Sequence, residues 1–486
     1  MAQLPLPGHA GDRELSRTDP PAAPRGTPYR LPYPIPDPVR DVLARLIDAG
    51  HEAVLVGGSV RDLLRGERPV DWDVATSAPP EAVAALFAGS TWLNRFGTVT
   101  VAPPAGRPIE VTSYRSEAGY RDRRRPDEVR FGVALEEDLA RRDFTINAIA
   151  WLPRGLPAGD GELIDPHGGR ADLAAGILRA VGDPAARFAE DALRLLRAVR
   201  LASRLGLRID SPTEAALRGA VATAASVSGE RIRDELLRFL DDDDGAAPPS
   251  AAMRLAEEIG LLAVVLPELA ALRGVPQGKP LAGDALDHSL RSVDALPPGD
   301  AILRLAGLLH DLGKAVTLAD GHFIGHEVAG AELAASVLDR LRLPHEAATR
   351  VTHLVRQHMF AYDPDWTDGA VRRFLRRVGP DALDDLFALR AADNVASGVD
   401  EPAVGGLDEL RERIATVALH APIATRQLAV DGFDLQAALG LGPSPQIGRL
   451  LDGLLDAIIE DPALNERDAL IGLARKLMDV EGPAAT

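Results

Sequence analysis

The clearest signal in this chain is the segment VLVGGSVRDLLRGERPVDWDVAT, which spans residues 54–76. It begins with an apolar run that is too short for a helix and favours a buried strand. Gly57 and Gly58 end that strand, and Ser59 occupies the expected N-cap of a following helix. The free N–H groups and the positive dipole end of that helix would face any ligand above the glycine pair, which predicts a phosphate-binding site.

A pair of carboxylates follows in the same segment. Asp71 and Asp73 flank Trp72, and on a strand this spacing places both carboxylates on one face and the tryptophan on the other. Such carboxylates repel one another unless a cation lies between them, and Mg²⁺ with phosphate oxygens suits this role. A glycine pair alone is usually a turn, and an Asp-x-Asp pair alone is usually a solvated strand edge. Their strand–Gly–helix–strand order predicts a nucleoside-triphosphate site.

GGSVRDLLRG at 57–66 and DWD at 71–73 resemble the head of class II tRNA nucleotidyltransferases and bacterial poly(A) polymerases. The resemblance implies an α+β protein, with a small mixed α/β head of the polymerase-beta type followed by an elongated helical neck, body and tail. It implies that Asp71 and Asp73 are catalytic Mg²⁺ ligands. It also implies nucleotide binding by four residues of the glycine turn and helix, namely Gly57, Gly58, Ser59 and Arg61.

Residues 108–112, PIEVT, predict another strand of the same sheet. The family often carries a third catalytic carboxylate on such a strand, and the candidate here is Glu110. A half-buried strand glutamate without a catalytic role is the competing interpretation.

An arginine-dense loop and a second family motif come next. The loop, RSEAGYRDRRRPDEVRF at 115–131, is interpreted either as solvated or as a contact to RNA phosphate. Its candidate RNA contacts are Arg121, Arg123, Arg124 and Arg125. RRDFTINA at 141–148 matches a family motif in which Arg142 and Asp143 contact the nucleotide ribose and triphosphate. An aspartate can accept a hydrogen bond from a 2′-OH, which would favour ribonucleotides.

Residues 188–205 predict one amphipathic helix. Within it, EDALR at 190–194 matches the EDxxR motif with which the family selects the incoming base, here through Asp191 and Arg194, with Arg197 as a further nucleotide contact. A solvated helix face with an ordinary i,i+3 ion pair is the alternative. GERIRDEL at 229–236 resembles a neck motif whose Glu-Arg pair holds the neck together or orients the base-reading helix.

The C-terminal half carries histidines and aspartates in the order and approximate spacing of an HD phosphohydrolase domain. The segments are DHSL, LLHDLGK, IGHEVAG, LVRQHM and AADN. A His-Asp dyad that ends an apolar helix can bind a divalent metal and so activate water. The resemblance implies a first metal site in which Mn²⁺ or Ni²⁺ would suit the ligands. Its ligands would be His288, His310, Asp311 and Asp393, with His326 and His358 recruiting a second metal or orienting phosphate.

Length and composition indicate how many domains the chain can form and in which cellular compartment it is expected. The 486 residues have room for roughly three or four domains. The chain has no cysteine, which excludes disulfides and thiolate zinc sites and fits a reducing compartment. We expect a cytoplasmic protein, because no apolar run spans a membrane and no signal peptide is visible. The net charge of −18 argues against an overall basic surface but allows a local basic path.

Composition and motifs together predict five regions. Residues 1–35 are rich in proline, glycine and charge, and predict a disordered arm. The other regions are the head at 36–153, the neck at 154–245, the HD domain at 246–400 and the helical tail at 401–486.

Two further segments have open interpretations. The basic helix at 371–377 is either a solvated face or an RNA-backbone contact. The Asp431-Gly432 and Gly-Pro-Ser-Pro turns of the tail are either a backbone nest for nucleic-acid phosphate or helix caps.

The resemblance implies template-independent addition of C, C and A to the 3′ end of tRNA from CTP and ATP. A poly(A) polymerase or A-adding enzyme on the same scaffold is the first alternative. A phosphohydrolase with a degenerate RNA-binding head is the second, although the intact DWD argues against it. No motif indicates an oligomeric state.

Overall fold

The structure, a computed structural model, describes residues 26–92, 97–103, 106–119, 128–156, 159–241, 246–399, 406–418 and 424–481. The chain divides into two compact units. The head comprises the described residues up to Ala118 together with Glu128–Ala175. The second unit comprises Gly119 and the described residues from Gly176 onward.

Strands form the centre of the head. Their bounds are β1 Thr27–Arg30, β2 Ala53–Val56, β3 Asp73–Thr76, β4 Thr91–Trp92, β5 Thr98–Val101, β6 Ile109–Ser113, β7 Arg115–Ala118, β8 Glu128–Phe131, β9 Ala150–Pro153 and β10 Asp160–Ile164. Eight of them build one mixed sheet in the order β1-β10-β9-β2-β3-β6-β5-β4, and β7 pairs with β8 in a separate ribbon. The pair β3–β6 is parallel, and the other pairs in this sheet are antiparallel.

Strand register brings the predicted site residues to one edge of this sheet. Leu55 of β2 pairs with Val74 of the antiparallel β3, so the end of β2 lies beside the start of β3. Asp73, the first residue of β3, pairs in register with Glu110 of the parallel β6. The glycine turn after β2 therefore lies at the same edge as both carboxylates.

The α-helices of the described part of the head are α1 Asp37–Asp48, α2 Gly58–Leu64, α3 Pro80–Leu86, α4 Leu135–Ala140 and α5 Gly169–Ala174. Helix α1 buries Val39, Val42, Leu43 and Leu46, which recur at helical spacing and join the core formed with the sheet. The strand predicted at residues 108–112 is present as β6.

Both predicted boundaries of the head are wrong. Composition assigns residues 26–35 to a disordered arm, but β1 pairs with β10, and Leu31 and Ile35 are buried in the head core. Residues 1–25 of that arm lie outside the described residues. The head also extends past residue 153, since β10 belongs to its sheet. Short strands that carry few apolar residues look like linkers until their pairing partners are known.

The second unit is almost entirely helical. Its helices are α6 Pro184–Glu190, α7 Leu193–Leu205, α8 Ser211–Ala220, α9 Gly229–Leu240, α10 Ala251–Glu258, α11 Leu262–Val265, α12 Pro267–Ala270, α13 Ala285–Ala295, α14 Ala301–Leu309, α15 Lys314–Thr317, α16 His326–Arg340, α17 His345–Gln357, α18 Asp368–Val378, α19 Leu383–Ser397, α20 Gly406–Ala418, α21 Gly432–Leu439, α22 Pro445–Glu460 and α23 Arg467–Glu481. Strands β11 Ile177–Leu178 and β12 Arg208–Ile209 form one short parallel pair.

The predicted α+β architecture, a mixed head followed by a helical body, is confirmed. Within the part of the chain that the structure describes, no helix is both long and apolar enough to cross a membrane.

Candidate active site and metal cluster

The turn between β2 and α2 lies against charged side chains of the head. Gly57 is the N-cap of α2 and has a φ of 71°, a conformation that favours glycine. A Cβ atom there would lie 3.0 Å from Arg142 Nη1 and 3.6 Å from Asp73 Oδ2. The predicted N-cap, Ser59, is wrong: Ser59 lies inside α2, where its hydroxyl donates to the Val56 carbonyl at 3.0 Å.

The acidic residues of the sheet edge influence one another electrostatically. Burial raises the pKa of Asp73, Glu110 and Asp71 raise it further, and Arg142 opposes the rise. Asp71 precedes β3 rather than lying on it, is largely exposed, and pairs with Arg107 at 3.2 Å. The prediction that Asp71 and Asp73 share a strand is therefore wrong. Hard oxygen ligands whose charges repel one another nevertheless suit Mg²⁺.

Arg142 is held by a buried carboxylate that the sequence interpretation did not identify. Asp138 of α4 accepts hydrogen bonds from Arg142 Nη2 at 3.2 Å and from Arg141 Nη2 at 2.7 Å. Burial opposes its ionisation, but the two arginines keep the pKa of Asp138 below its usual range. Arg142 Nε is buried and has no hydrogen-bond partner within the described part of the chain. Asp138 thus orients a guanidinium that lies beside Gly57. The detectable signal is an aspartate three and four positions before two arginines.

Asp143 belongs to a second buried network. Its Oδ1 accepts hydrogen bonds from the Phe144 backbone N–H at 2.8 Å and from Asn147 Nδ2 at 3.2 Å. Asn147 Oδ1 in turn accepts from Arg61 Nη1 at 2.8 Å. The network therefore connects Arg61 of the glycine-turn helix with the RRDFTINA motif, and Asn147 is a further residue that the sequence interpretation missed.

The geometry at Gly57 predicts a local effect of an added methyl group. Gly57→Ala should weaken nucleotide incorporation about tenfold or more, because the methyl group displaces Arg142. Gly66→Ala is the matched control, since Gly66 has a φ of 76° but a Cβ atom there would have no neighbour within 4 Å. Both variants should lose about 1 kcal/mol of unfolding free energy, because each places a Cβ at positive φ, and both should therefore unfold at a lower denaturant concentration. Equal incorporation rates for the two variants would contradict the placement of Arg142.

The predicted helix 188–205 is interrupted at the base-selection motif. Helix α6 ends at Glu190, α7 begins at Leu193, and Asp191 between them has an extended φ of −145°. Asp191 accepts a bidentate pair of hydrogen bonds from Arg231, at 2.9 and 2.7 Å, and also bonds the Leu193 backbone N–H. Arg231 of the neck motif therefore orients Asp191, which agrees with one of the two roles predicted for that motif.

Arg194 is positioned from the other side of this break. Its Nη1 donates to Glu190 Oε2 at 2.5 Å and to the Arg187 carbonyl at 2.9 Å. Arg197, one turn further along α7, is half-buried beside Arg200, whose Nε donates to the fully buried Glu235 at 2.6 Å. The three defined residues of the EDxxR motif thus have fixed partners: Glu190 and Arg194 bond each other, and Asp191 bonds Arg231.

Imidazoles in the HD domain converge on Asp311. Asp311 Oδ2 lies 3.4 Å from His288 Nε2 and 3.3 Å from His310 Nε2. Its Oδ1 lies 3.4 Å from His326 Nε2 and 3.7 Å from His358 Nε2. Asp393 Oδ1 lies 3.0 Å from His288 Nε2. These six residues, His288, His310, Asp311, His326, His358 and Asp393, are hereafter called the HD cluster.

Backbone carbonyls set the orientation of three imidazoles. Nδ1 of His310, His326 and His358 lies 2.7–2.8 Å from the carbonyls of Gly307, Phe323 and Val355. A carbonyl only accepts, so Nδ1 carries a proton and Nε2 is the ring atom that faces Asp311. Gly313 allows α16 to approach, because a Cβ there would lie 2.0 Å from the His326 carbonyl.

The HD cluster has the donor set of a divalent metal site. The ligand atoms of His288, His310 and Asp311 lie within 4.8 Å of one another, as do those of Asp311, His326 and His358. Burial lowers the pKa of His358 to about 3 and also lowers the pKa of His288, which keeps both imidazoles neutral. Burial disfavours the ionised form of Asp393, but the hydrogen bond with His288 keeps its pKa below the usual range. For His326 the effect of burial is outweighed by the hydrogen bond with Asp311, which raises the pKa of that imidazole instead. Neutral imidazoles at His288 and His358, with ionised carboxylates, suit a late divalent ion.

The sequence left open the roles of the basic helix at 371–377 and of the Asp431-Gly432 turn, and the structure describes both. The arginines of α18 contact the tail helix α22: Arg372 donates to the Ile459 carbonyl at 2.6 Å, Arg373 pairs with Glu460, and Arg376 pairs with Asp456. These arginines therefore join two helices, which neither interpretation anticipated. Asp431 caps α21 in a reciprocal capping box, so that turn is a helix cap. The candidate RNA contacts from Arg121 to Arg125 lie outside the described residues.

Sequence profiles of three known domains match the chain. The poly A polymerase head domain matches residues 53–179, and the HD domain matches residues 285–398. A region described as the probable RNA and SrmB-binding site of polymerase A matches residues 206–272.

Full-length relatives resemble most of the chain. A CCA-adding enzyme of Leuconostoc mesenteroides is 42% identical over 448 residues, which cover 90% of this chain and 96% of the relative. An A-adding tRNA nucleotidyltransferase of Deinococcus radiodurans is 35% identical over 428 residues, which cover 83% and 91%. The crystal structure of the Bacillus stearothermophilus CCA-adding enzyme in complex with CTP matches with a TM-score of 0.67 and 28% identity, covering 92% of this chain and 99% of that one.

The head fold, its acidic sheet edge and these matches define a nucleotidyltransferase with an HD domain. The chain belongs to the family of tRNA nucleotidyltransferases and bacterial poly(A) polymerases.

Proposed function

We propose that this protein adds C, C and A to the 3′ end of tRNA, with CTP and ATP as substrates and without a nucleic-acid template. The observation that carries the proposal is the sheet edge where Asp73 pairs in register with Glu110 and where both Asp73 and Arg142 lie against Gly57. The 42% identity with a CCA-adding enzyme over nearly the whole chain supports the choice of substrates.

Several charged residues of the head have a chemical role in this proposal. Asp71 and Asp73 would hold Mg²⁺, which supplies charge neutralisation for the triphosphate and a lowered pKa for the attacking hydroxyl. Arg142, oriented by Asp138, binds triphosphate oxygens through its remaining donors. Asp143 accepts from the ribose 2′-OH, and the Arg61–Asn147 pair keeps that carboxylate in place.

Base choice follows from hydrogen-bond complementarity with Asp191 and Arg194. A carboxylate accepts from the exocyclic amine of cytosine or adenine, while a guanidinium donates to cytosine N3 or adenine N1. Guanine and uracil present the reverse pattern, and each misfit leaves polar groups unpaired at a cost of roughly 1–3 kcal/mol. One Asp-Arg pair can therefore accept C and A and reject G and U.

Loss of the arginine that orients Asp191 should relax base choice. Arg231→Ala, like Asp191→Ala, should lower incorporation of C and A relative to G and U by roughly tenfold or more, because Asp191 loses its bidentate partner. Parallel assays with single NTPs measure this ratio. Arg238→Ala on the same helix is the control, since Arg238 is mostly exposed and pairs with Glu235. If Arg231→Ala and Asp191→Ala both leave the ratio of C and A to G and U incorporation unchanged, the Asp191–Arg231 pair has only a structural role.

The proposed activity is tested by incubating tRNA that lacks its 3′ end with each NTP alone, with CTP and ATP together and with all four NTPs, followed by sequencing of the products. CTP alone should give two added residues, and CTP with ATP should give CCA. Addition of a single A only to tRNA that already ends in CC would favour an A-adding enzyme. A long A tail would favour a poly(A) polymerase.

A second activity is supported by the HD cluster. Its buried imidazoles and carboxylates fit a divalent metal that supplies an activated water, as in metal-dependent phosphohydrolases. The candidate substrates are phosphomonoesters and 2′,3′-cyclic phosphodiesters at a damaged tRNA end. All members of the HD cluster belong to the second unit, whereas Asp71, Asp73 and Glu110 belong to the head. The two activities should therefore be separable.

A further inference from the structure

A loop between α12 and α13 places Lys279 against the HD cluster and Gln277 against Lys314, which itself contacts the cluster. Lys279 Nζ lies 3.0 Å from Asp393 Oδ1 and 3.2 Å from His288 Nε2. Gln277 Oε1 accepts a hydrogen bond from Lys314 Nζ at 3.0 Å, and Lys314 Nζ also lies 2.5 Å from Asp311 Oδ2. The chain has lysine only at positions 279, 314 and 476, so two of the three contact this one cluster.

The loop is anchored at both ends. Pro276 and Asp284 form an isolated β-bridge, and the Ala285 backbone N–H donates to the Val275 carbonyl at 2.9 Å. On the other side, the Leu281 backbone N–H donates to the Ser397 carbonyl of α19 at 3.3 Å. Gln277 and Lys279 are therefore held in position, which lowers the entropic cost of binding a ligand.

One donor of this loop has no partner among the described residues. The Nε2 atom of Gln277 is buried and makes no hydrogen bond there. A buried amide that donates to nothing costs free energy, and Gln277 shares Lys314 with Asp311 of the cluster, so an acceptor at this place would relieve the cost. A phosphate oxygen supplies such an acceptor and also suits the two ammonium groups.

Charge around the cluster favours a dianion. The carboxylates of Asp311 and Asp393 are in contact with three cationic side chains, Lys279, Lys314 and Arg390. One further carboxylate is nearby: Glu327 lies 3.8 Å from His326 Nδ1. It is on the opposite side of that ring from Asp311, which faces Nε2. A bound divalent ion would add more positive charge. A phosphomonoester carries about two negative charges at neutral pH and a phosphodiester one, so the monoester gains more.

We infer that Gln277 and Lys279 bind the non-bridging oxygens of a terminal phosphomonoester in the HD cluster and select it over a cyclic phosphodiester. The inference rests on the proposed hydrolase activity. Hydrolysis of such an ester consumes one water, breaks the bond between phosphorus and the ester oxygen, and releases the alcohol and inorganic phosphate. Neither residue is identified as a site residue by the sequence motifs.

The test uses the full-length chain with Mn²⁺ and inorganic phosphate as probes. Calorimetry first measures Mn²⁺ affinity and then phosphate affinity at saturating Mn²⁺. Lys279→Met and Gln277→Glu should weaken phosphate binding about tenfold or more without weakening Mn²⁺ binding. Gln277→Glu retains the acceptor for Lys314, removes the donor and adds a negative charge. Gln277→Met removes the donor without adding charge and should weaken phosphate binding in the same direction. Lys476→Met is the control, since Lys476 is exposed on the tail helix α23.

A kinetic arm addresses selectivity. Both variants should raise the KM for p-nitrophenyl phosphate more than the KM for 2′,3′-cyclic AMP. Equal phosphate affinity in the wild type and both variants, with Mn²⁺ bound in each, would overturn this inference but leave the hydrolase proposal standing. So would tighter Mn²⁺ binding as the sole effect of Lys279→Met, which would make Lys279 a counter-ion of the ligands. Absence of Mn²⁺ binding by the wild type would overturn the hydrolase proposal and this inference with it.

Discussion

Replacing Asp73 with asparagine should abolish nucleotide incorporation and leave the fold intact. Asp73 starts β3, pairs in register with Glu110 and lies against the glycine turn, so its carboxylate is placed to hold Mg²⁺ beside the triphosphate. Asparagine keeps the shape but removes the charge. We expect a loss of about a thousandfold in rate, equivalent to roughly 4 kcal/mol of transition-state stabilisation. Asp71→Asn should have a similar effect.

The measurement is incorporation of radiolabelled CMP and AMP into tRNA in magnesium, together with tRNA affinity and thermal unfolding. Asp160→Asn is the matched control, because Asp160 begins β10 of the same sheet, is exposed, and among the described residues its side chain forms only a 3.8 Å ion pair with Arg30. Wild-type incorporation by the Asp73→Asn and Asp71→Asn variants would refute the assignment of the active site. Loss of tRNA binding or of folding would instead indicate a structural role for the carboxylates.

The second large effect concerns the HD cluster. A His310→Ala, Asp311→Ala double variant should lose all phosphohydrolase activity and retain CCA addition, because Asp311 is the carboxylate shared by both ligand groups. The assays are hydrolysis of phosphomonoesters and 2′,3′-cyclic phosphodiesters across several divalent metals, and CCA addition in magnesium. His345→Ala is the control, since His345 is exposed at the start of α17.

Buried Asp311 also pairs with Lys314, so folding of the double variant needs an independent check. Retained CCA addition and an unchanged thermal midpoint supply it, and Asp311→Asn offers a milder substitution of the same residue. Hydrolysis that is undetectable in the wild type with every metal would refute the hydrolase proposal. Loss of CCA addition in a folded double variant would refute the independence of the two activities.

Local sequence patterns are sufficient for part of the head. The apolar run, glycine pair and acidic residues of 54–76 predict a strand, a turn, a helix and a second strand, and β2, α2 and β3 follow that order. The predicted limits are less accurate, since Asp71 precedes β3 and Ser59 lies inside α2. Capping and strand ends depend on which neighbour supplies the hydrogen bonds, and a local pattern does not specify that neighbour.

Interactions over long sequence separations change three predictions. The helix predicted at 188–205 is interrupted where Asp191 bonds Arg231, and the arginines of α18 pair with carboxylates of the tail. Residues 27–30 form a strand because β10, more than 100 positions later, pairs with them. In each case the local propensity is weak or ambiguous, and the tertiary partner decides the conformation.

The sequence alone determined which chemical groups are present and in what order, because strand and helix periodicity and short motifs act over a few residues. That was enough to predict the α+β architecture, the acidic edge of the head and the membership of the HD cluster. Only the tertiary structure decided which groups meet: Asp138 with Arg142, Asp191 with Arg231, and Lys279 with Asp393. The physical reason is that a buried charge is stabilised by whichever opposite charge the packing of the elements brings within hydrogen-bond distance, however far apart the two lie in the chain.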